Sequence, residues 1–363
     1  MTFTAIIDVK VKHPPRRPTA LRFRAVARAL VTGGTGFLGL HLARALTTAG
    51  YDVRTLDVHE PGPSADPDWE FVKADVRDAD AMDKATRDVD VVVDNAALVP
   101  VTRSDPGTYN SVNVDGCRTT LQAARKRDVY VLHISSSAIY GVPQELPIQP
   151  TTPLGPFEPY GESKARADVL VSEQRRRGQT VASMRPRTLL GEGRLGIFDV
   201  IFARVRAGKR VPMFGSGSNK VQMSDVEDFC AAALAAIRNE ANDDYNVGAA
   251  EFGTVREDLQ ALIDHAGTQA KLLPVPSAVI RAALQPLDAV GRSPFNVWHW
   301  KSAPKPFYFD LTKTKADLGW EPRYSNAQAL IRAYEHYLTR PEATSASAHR
   351  RPLEGRLAKV LRG

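Results

Sequence analysis

Short apolar runs alternate with longer amphipathic stretches along the first half of the chain. Ala29-Leu30-Val31 is such a run and predicts a buried strand; a glycine-rich turn and an amphipathic helix beginning near Phe37 follow it. YDVRTLDVHE (51–60) predicts a second strand ending at Asp57, and a third strand precedes KADVRD (73–78). VDVVVDNAALVP (89–100) predicts a strand with a loop after it, 128–141 a strand running into a loop, and TVASMRP (180–186) another strand. Helices are expected over 78–88, 107–127 and 160–177. Strands that are apolar on both faces and alternate with helices argue for a parallel sheet covered on both sides, an α/β doubly wound fold. Beyond residue 187 the pattern loosens. Helical stretches near 196–208, 225–238, 254–266, 277–290 and 325–339 are separated by Pro/Gly-rich connections, and YNVG (245–248) reads as a strand returning to the main sheet. The expected organisation is a basic extension over 1–25, a sheet domain over 26–187, a smaller interleaved substrate-binding region over 188–340, and a basic tail over 341–363.

Composition adds little to this picture. The 363 residues are 43% hydrophobic and 25% charged, enough for a real core. The two cysteines, Cys117 and Cys230, lie in apolar helical patterns, which argues against a disulfide scaffold and for a cytoplasmic protein. No apolar run is long enough to span a membrane, and the N-terminus lacks the apolar core of a signal peptide, so no membrane association is expected. Much of the net charge of +7 sits near the ends, in 10–28 and 341–363. Such a charge suits steering of an anionic small molecule better than nucleic-acid binding, which is not expected.

The first chemistry-bearing segment is Thr32-Gly33-Gly34-Thr35-Gly36-Phe37-Leu38-Gly39. Gly33 permits a tight turn, Gly36 lets the backbone approach a diphosphate, and Gly39 lets the helix pack close to the sheet. The helix N-terminus then presents free N–H groups and a positive dipole end to phosphates. Asp57, 21 residues after Gly36, closes the next strand. A carboxylate there accepts from a ribose 2′-hydroxyl and repels a 2′-phosphate, which favours NAD over NADP despite Arg54 and His59 nearby. Asp75, followed by Val76, is placed to hold the adenine amino group or, equally, to cap the helix at 78–88.

Tyr160 and Lys164, in EPYGESKARAD (158–168), share one helix face. Together with TGGTGFLG (32–39), DNAALV (94–99), NVDG (113–116), SSSAIYG (135–141), RPRTLLGEG (185–193) and LGWEPRYS (318–325), they occur in the order and near the spacing of a known family. The chain, over about 27–340, resembles the extended short-chain dehydrogenase/reductase family, in its NAD-dependent epimerase/dehydratase branch. The resemblance implies a Rossmann-type sheet, bound NAD, and Tyr160 as acid/base. Lys164 beside it, with a cationic nicotinamide ring nearby, would lower the phenol's pKa, and Lys164 would also hold the nicotinamide ribose. Ser136, four residues before Tyr140, would donate to the reacting oxygen. The resemblance also implies cofactor contacts at Thr35, Phe37, Leu38, Asn95, Ala96, Ala97 and Arg185. The resemblance also places Asn113, the family's helix asparagine, with the cofactor contacts, a residue more often architectural than chemical. Members of the family often dimerise through the helices near 107–127 and 160–177, so a homodimer is expected.

The reaction is narrowed by absences. The family's dehydratases place Asp-Glu after the catalytic Thr, and its sugar decarboxylases carry a Glu in this loop; here the positions are Ser137 and Ala138. Two chemistries need only Ser, Tyr and Lys. One is a sugar epimerase that passes through a ketone and returns hydride to the other face. The other is a dehydrogenase or ketoreductase on a non-nucleotide, bulkier substrate. MFGSGSNKVQMSDVEDF (213–229) resembles the segment where nucleotide-sugar members hold the diphosphate with an arginine, yet Val221 occupies that position and Thr188 replaces the family's Asn. Candidate substrate contacts are Val99, Ser137, Arg187, Thr188, Arg194 and Lys220. The aromatic stretch SPFNVWHWKSAPKPFYFD (293–310) reads as a packing cap or an apolar pocket wall, with His299 structural. No metal site is expected.

Overall fold

The computed structural model describes residues 26–100, 105–194, 197–279, 282, 285 and 304–339. Seven strands form the main sheet: β1 (Arg28–Thr32), β2 (Asp52–Asp57), β3 (Glu70–Lys73), β4 (Val91–Asp94), β5 (Tyr130–Ile134), β6 (Val181–Pro186) and β10 (Asp244–Val247). Their order is β10-β6-β5-β4-β1-β2-β3, and every pairing is parallel. The order reverses between β1 and β4, and a cleft opens at such a point beyond the carboxyl ends of the strands.

Alternation along the strands builds two apolar layers. Ala29 and Val31 of β1, Val91 and Val93 of β4, and Tyr130, Leu132 and Ile134 of β5 enter one layer. Leu30, Val92 and Val131 enter the other. The first layer is covered by α1 (Phe37–Thr48) and α7 (Val226–Arg238). The second is covered by α2 (Ala79–Ala85), α4 (Gly116–Arg125) and α5 (Pro159–Arg176). The stretch expected as one helix over 107–127 is α3 (Pro106–Asn110) and α4 joined through a π-helical turn, Ser111–Asp115.

A third apolar cluster lies among α6 (Ile197–Arg206), α8 (Val255–Ala266) and a helix over Asn326–Thr339, centred on Phe202, Leu262, Leu330 and Tyr334. Four short strands accompany it: β7 (Leu189–Leu190) pairs with β9 (Ser224–Asp225), and β8 (Val211–Phe214) pairs with β11 (Leu272–Val275). The helix over Thr312–Leu318 was not apparent from periodicity; its seven residues are too few to display a face. Of the aromatic stretch, Phe307 and Phe309 are buried and pack with Tyr140, as a cap would. His299, most of 277–290 and both tails lie outside the described residues. Among the described residues, no helix is long and apolar enough to cross a membrane.

Candidate functional site

A cleft of about 750 Å³ runs across the carboxyl ends of the strands. One end is built by the glycine turn. Gly33 takes a left-handed φ of 65°, and the Gly33 and Gly34 N–H groups donate to the Leu56 carbonyl at 2.8 and 3.3 Å. A Cβ on Gly39 would stand 2.1 Å from the Gly33 carbonyl oxygen, so only glycine lets α1 start this close to the turn. No side chain caps the helix at Gly36 and its first turn has no acid, leaving N–H groups and a positive end for an anion. Thr32 and Asn95 lock the turn to the end of β4. The Thr32 hydroxyl accepts from the Asn95 and Ala96 N–H groups at 3.0 Å, and Asn95 Nδ2 donates to the Thr32 and Gly33 carbonyls. This cradle has the shape and polarity of a diphosphate site.

Asp57 ends β2 at the cleft wall, where its carboxylate accepts from the Thr35 N–H at 3.2 Å and the His59 N–H at 3.1 Å. Arg54 turns away: it is buried, donates to the Ala85 and Arg87 carbonyls, and pairs with Glu70 at 2.8 Å. His59 and Val76 line the cleft, as do Thr35, Gly36, Phe37, Leu38, Ala96, Ala97 and Val99. Asp75 lines it too, but Arg77 grips its carboxylate at 2.6 and 2.9 Å, and that hydrogen bond holds it below the usual range. The capping alternative for Asp75 is corrected, because Asp78 caps α2 by accepting from the Asp80 and Ala81 N–H groups.

At the other end stand Ser136, Tyr160 and Lys164. Glu158 caps α5 and accepts from the Tyr160 N–H at 3.0 Å, fixing where the tyrosine enters the cleft. Burial raises the Tyr160 phenol to about 12; a hydrogen bond with Ser136 lowers it, Glu158 raises it, and Arg194 lowers it. Of the depression expected from Lys164 and a cationic nicotinamide together, the part assigned to Lys164 is corrected: without the cofactor burial dominates, and Lys164 Nζ is turned onto the Ile134 carbonyl at 2.6 Å. Burial lowers the Lys164 amine, opposed by Asp94, Cys117 and Asp168.

Ser137, Arg187, Thr188 and Arg194 share this end of the cleft. The Arg187 guanidinium lies 4.2 Å over the Phe307 ring, and that of Arg194 5.7 Å over Phe37. Desolvation lowers the two to about 9 and about 10, so both stay charged at neutral pH.

Three expected contacts lie elsewhere. Arg185 is buried behind the cleft, bonded to Asp168, Asp244, the Tyr140 hydroxyl and the Pro150 carbonyl, because its β6 position faces a buried polar network. Lys220 is exposed, outside the cleft lining, and its carbonyl accepts from the Phe307 N–H. Asn113 is a brace: it accepts from the Leu98 N–H at 2.7 Å and donates to the Leu98 carbonyl and the Ser163 hydroxyl.

Periodicity also missed a polar cluster beneath Lys164, where Asp94, Cys117 and His133 converge. The signal was present, since a carboxylate ends VVVD and an imidazole interrupts YVLHI. Asp94 Oδ2 and His133 Nδ1 are 2.7 Å apart, a hydrogen-bond length. Two ligands on one tetrahedral zinc stand about 3.3 Å apart, so the group is a hydrogen-bonded network as it stands.

The sequence matches the NAD dependent epimerase/dehydratase family over residues 29–248. It is 35% identical to the uncharacterized protein y4nG of Sinorhizobium fredii, over 93% of this chain and 86% of that one. It is 32% identical to the low-salt glycan biosynthesis protein Agl12 of Haloferax volcanii, over 85% and 98%. Its fold is similar to UDP-glucose 4-epimerase of Thermus thermophilus, solved in complex with NAD: TM-score 0.69, 26% identity, 86% of this chain and 99% of that one. Its diphosphate cradle and the Asp57 carboxylate fit the dinucleotide. The chain belongs to the NAD-dependent epimerase/dehydratase family, and its cofactor is NAD.

Proposed function

We propose that this protein is a sugar epimerase, acting on a nucleotide-activated sugar through a transient ketone. The observation that carries the reading is the distribution of carboxylates. Asp57 and Asp75 are the only acids among the described residues lining the cleft, and both stand at its adenosine end. The loop after Ser136 offers Ser137 and Ala138, so elimination of water would lack its extra acid and base.

Bound NAD supplies a hydride acceptor and donor. Tyr160 takes the proton of the sugar hydroxyl as the adjacent C–H is broken, and returns it after the ketone has turned in the cleft. At pH 7, ionising a phenol at about 12 costs about 7 kcal/mol. Ser136 and Arg194 already oppose burial in that value, and a cationic nicotinamide beside the phenol would reduce the cost further, a close positive charge being worth roughly 1–3 pKa units. Ser136 also donates to the reacting oxygen. Arg187 and Arg194 receive the anionic part of the substrate, and Lys164 the nicotinamide ribose. A homodimer through α4 and α5 accords with the exposed Val169 on α5, and sizing in solution tests it.

A dehydrogenase or ketoreductase would use the same three side chains, and Val221 at the family's arginine position favours it. The two separate experimentally. The protein is purified without additions, denatured, and the released nucleotide identified by mass spectrometry; UDP- and dTDP-sugars are then followed by NMR. Retained NAD with interconversion of C4 epimers and no net NADH supports the epimerase. Stoichiometric NADH from a non-nucleotide alcohol, with no sugar epimerised, overturns it.

A further inference from the structure

The reaction above uses the hydroxyl of Tyr160, and residues outside the cleft lining hold the side chain that carries it. Glu158 caps α5 and accepts from the Tyr160 N–H at 3.0 Å. The Ser163 hydroxyl donates to the Tyr160 carbonyl at 2.7 Å, and Asn113 Nδ2 donates to that hydroxyl at 2.9 Å. With both backbone polar groups pinned, the direction of the Tyr160 Cα–Cβ bond is fixed. Its side-chain torsions are not. The χ1 of a tyrosine has staggered wells, and the well decides whether the phenol meets Ser136, to which it is hydrogen-bonded, or points elsewhere.

The ring itself is met by Tyr109 of α3. The two centroids lie 6.2 Å apart with the planes at 65°, the edge-to-face arrangement that aromatic rings prefer. Tyr109 is buried and is not among the residues lining the cleft, so it reaches the chemistry only through Tyr160. Burial first, then Glu158 and Tyr160, raise its phenol to about 12, so at neutral pH it presents an uncharged ring. The start of α3 is fixed by Pro106 at its first position and by Asp105, whose carboxylate accepts from the Thr108 N–H at 3.0 Å. The π-helical turn Ser111–Asp115 follows. Tyr109 and Asn113, four residues apart, both face α5, one on the Tyr160 ring and the other on Ser163. The segment 105–115 thus braces Tyr160 at its ring and, through Ser163, at its carbonyl.

We propose that Tyr109 is the positioning residue that holds the Tyr160 ring in the rotamer that brings its hydroxyl to Ser136. The contact is ring on ring, so phenylalanine serves in place of Tyr109 and a small side chain does not. Without the Tyr109 ring, Tyr160 has room to leave its well on that side, and its hydroxyl leaves Ser136. Misplacing a reacting group by about 1 Å costs roughly 100-fold in rate.

The proposal rests on Tyr160 as acid/base for its catalytic meaning, so one arm of its test needs no turnover. Crystal structures of wild type, Tyr109→Phe and Tyr109→Ala with NAD bound show where the Tyr160 ring stands. Tyr109→Phe is expected to keep it against Ser136, and Tyr109→Ala to release it into a second rotamer. The other arm follows interconversion of UDP- and dTDP-sugars by NMR. In Tyr109→Ala kcat should fall roughly 10- to 100-fold with KM and NAD affinity unchanged, and Tyr109→Phe should restore it. With a sugar deuterated at C4, the isotope effect on kcat should rise in Tyr109→Ala, whereas a smaller folded fraction would lower kcat without moving it. An unmoved Tyr160 ring in Tyr109→Ala overturns the proposal. So does an equal loss of kcat and NAD affinity, which would make Tyr109 a support of the whole cleft. If Tyr109→Ala does not fold, Tyr109→Leu, which fills the space without a flat ring, is judged by the same criteria. Failure of the underlying reading looks different: Tyr160→Phe would retain turnover, or wild type would interconvert no sugar, while the crystal structures still decide what holds the ring.

Discussion

Gly39→Ala tests the dinucleotide cradle most sharply, because two effects of opposite sign compete there. Gly39 lies inside α1, where alanine is ordinarily favoured over glycine by about 1 kcal/mol. The added Cβ, however, would lie 2.1 Å from the Gly33 oxygen, 2.9 Å from its carbonyl carbon and 2.9 Å from Gly34 Cα. All three are backbone atoms of the turn, so no side chain can swing aside. Ordinary contact requires roughly 3.5 Å, and the helix and turn must separate by more than an ångström. Overpacking of this kind costs about 1–3 kcal/mol, enough to cancel or exceed the helix gain, and the same movement spoils the turn that receives the diphosphate. Losing one charge-assisted hydrogen bond, about 1.5–3 kcal/mol, weakens NAD binding roughly 10- to 100-fold. Calorimetric titration with NAD reads this directly, and thermal unfolding without NAD reports the smaller structural cost. The control is Gly62→Ala: Gly62 is exposed, its Cβ would meet nothing within 4 Å, and NAD binding should not change. Wild-type NAD affinity in Gly39→Ala would refute the reasoning.

Tyr160→Phe should lower turnover by roughly 10²–10⁴-fold while NAD still binds; equal losses in both would mean that the ring only shapes the cleft. Arg187→Met removes a cation from the substrate end of the cleft, so the KM for an anionic substrate should rise roughly tenfold or more; an unchanged KM would remove Arg187 from the substrate site. Asp168 is raised by burial, but Arg185 and its hydrogen bonds bring it below the ordinary carboxylate value. A depressed folded-state value contributes stability that is present above the unfolded carboxylate range, near 3.9, and is lost as pH falls through the folded one. The Tm gap between wild type and Asp168→Asn should therefore be constant near neutrality and shrink in acid; a gap independent of pH would contradict this.

Much of this protein was legible in its residues. The parallel sheet follows from apolar runs such as VVVD and YVLHI, because only a strand covered on both sides needs consecutive apolar positions. Glycine at 33 and 39 and an acid at 57 are local requirements of a dinucleotide turn, so they can be read without knowing what else is near. Tyr160 and Lys164 lie on one face of one helix, which periodicity alone establishes.

What the tertiary structure decided concerns residues far apart in the chain. Arg185 was expected at the cofactor and instead ties α5, β6 and β10 together, because its partners Asp168 and Asp244 come from different elements. Lys220 could not be excluded from the substrate site until the segment around it was seen to pair with Thr254 and with the Phe307 segment. The phenol of Tyr160 is raised, not lowered, since burial depends on every wall of the cleft and not on the spacing to Lys164. Asp94 and His133 stand 39 residues apart and meet only because β4 and β5 are hydrogen-bonded neighbours in register. Sequence periodicity carries the face on which a side chain lies. The charge it meets there is set by strand order and register, which are properties of the folded chain.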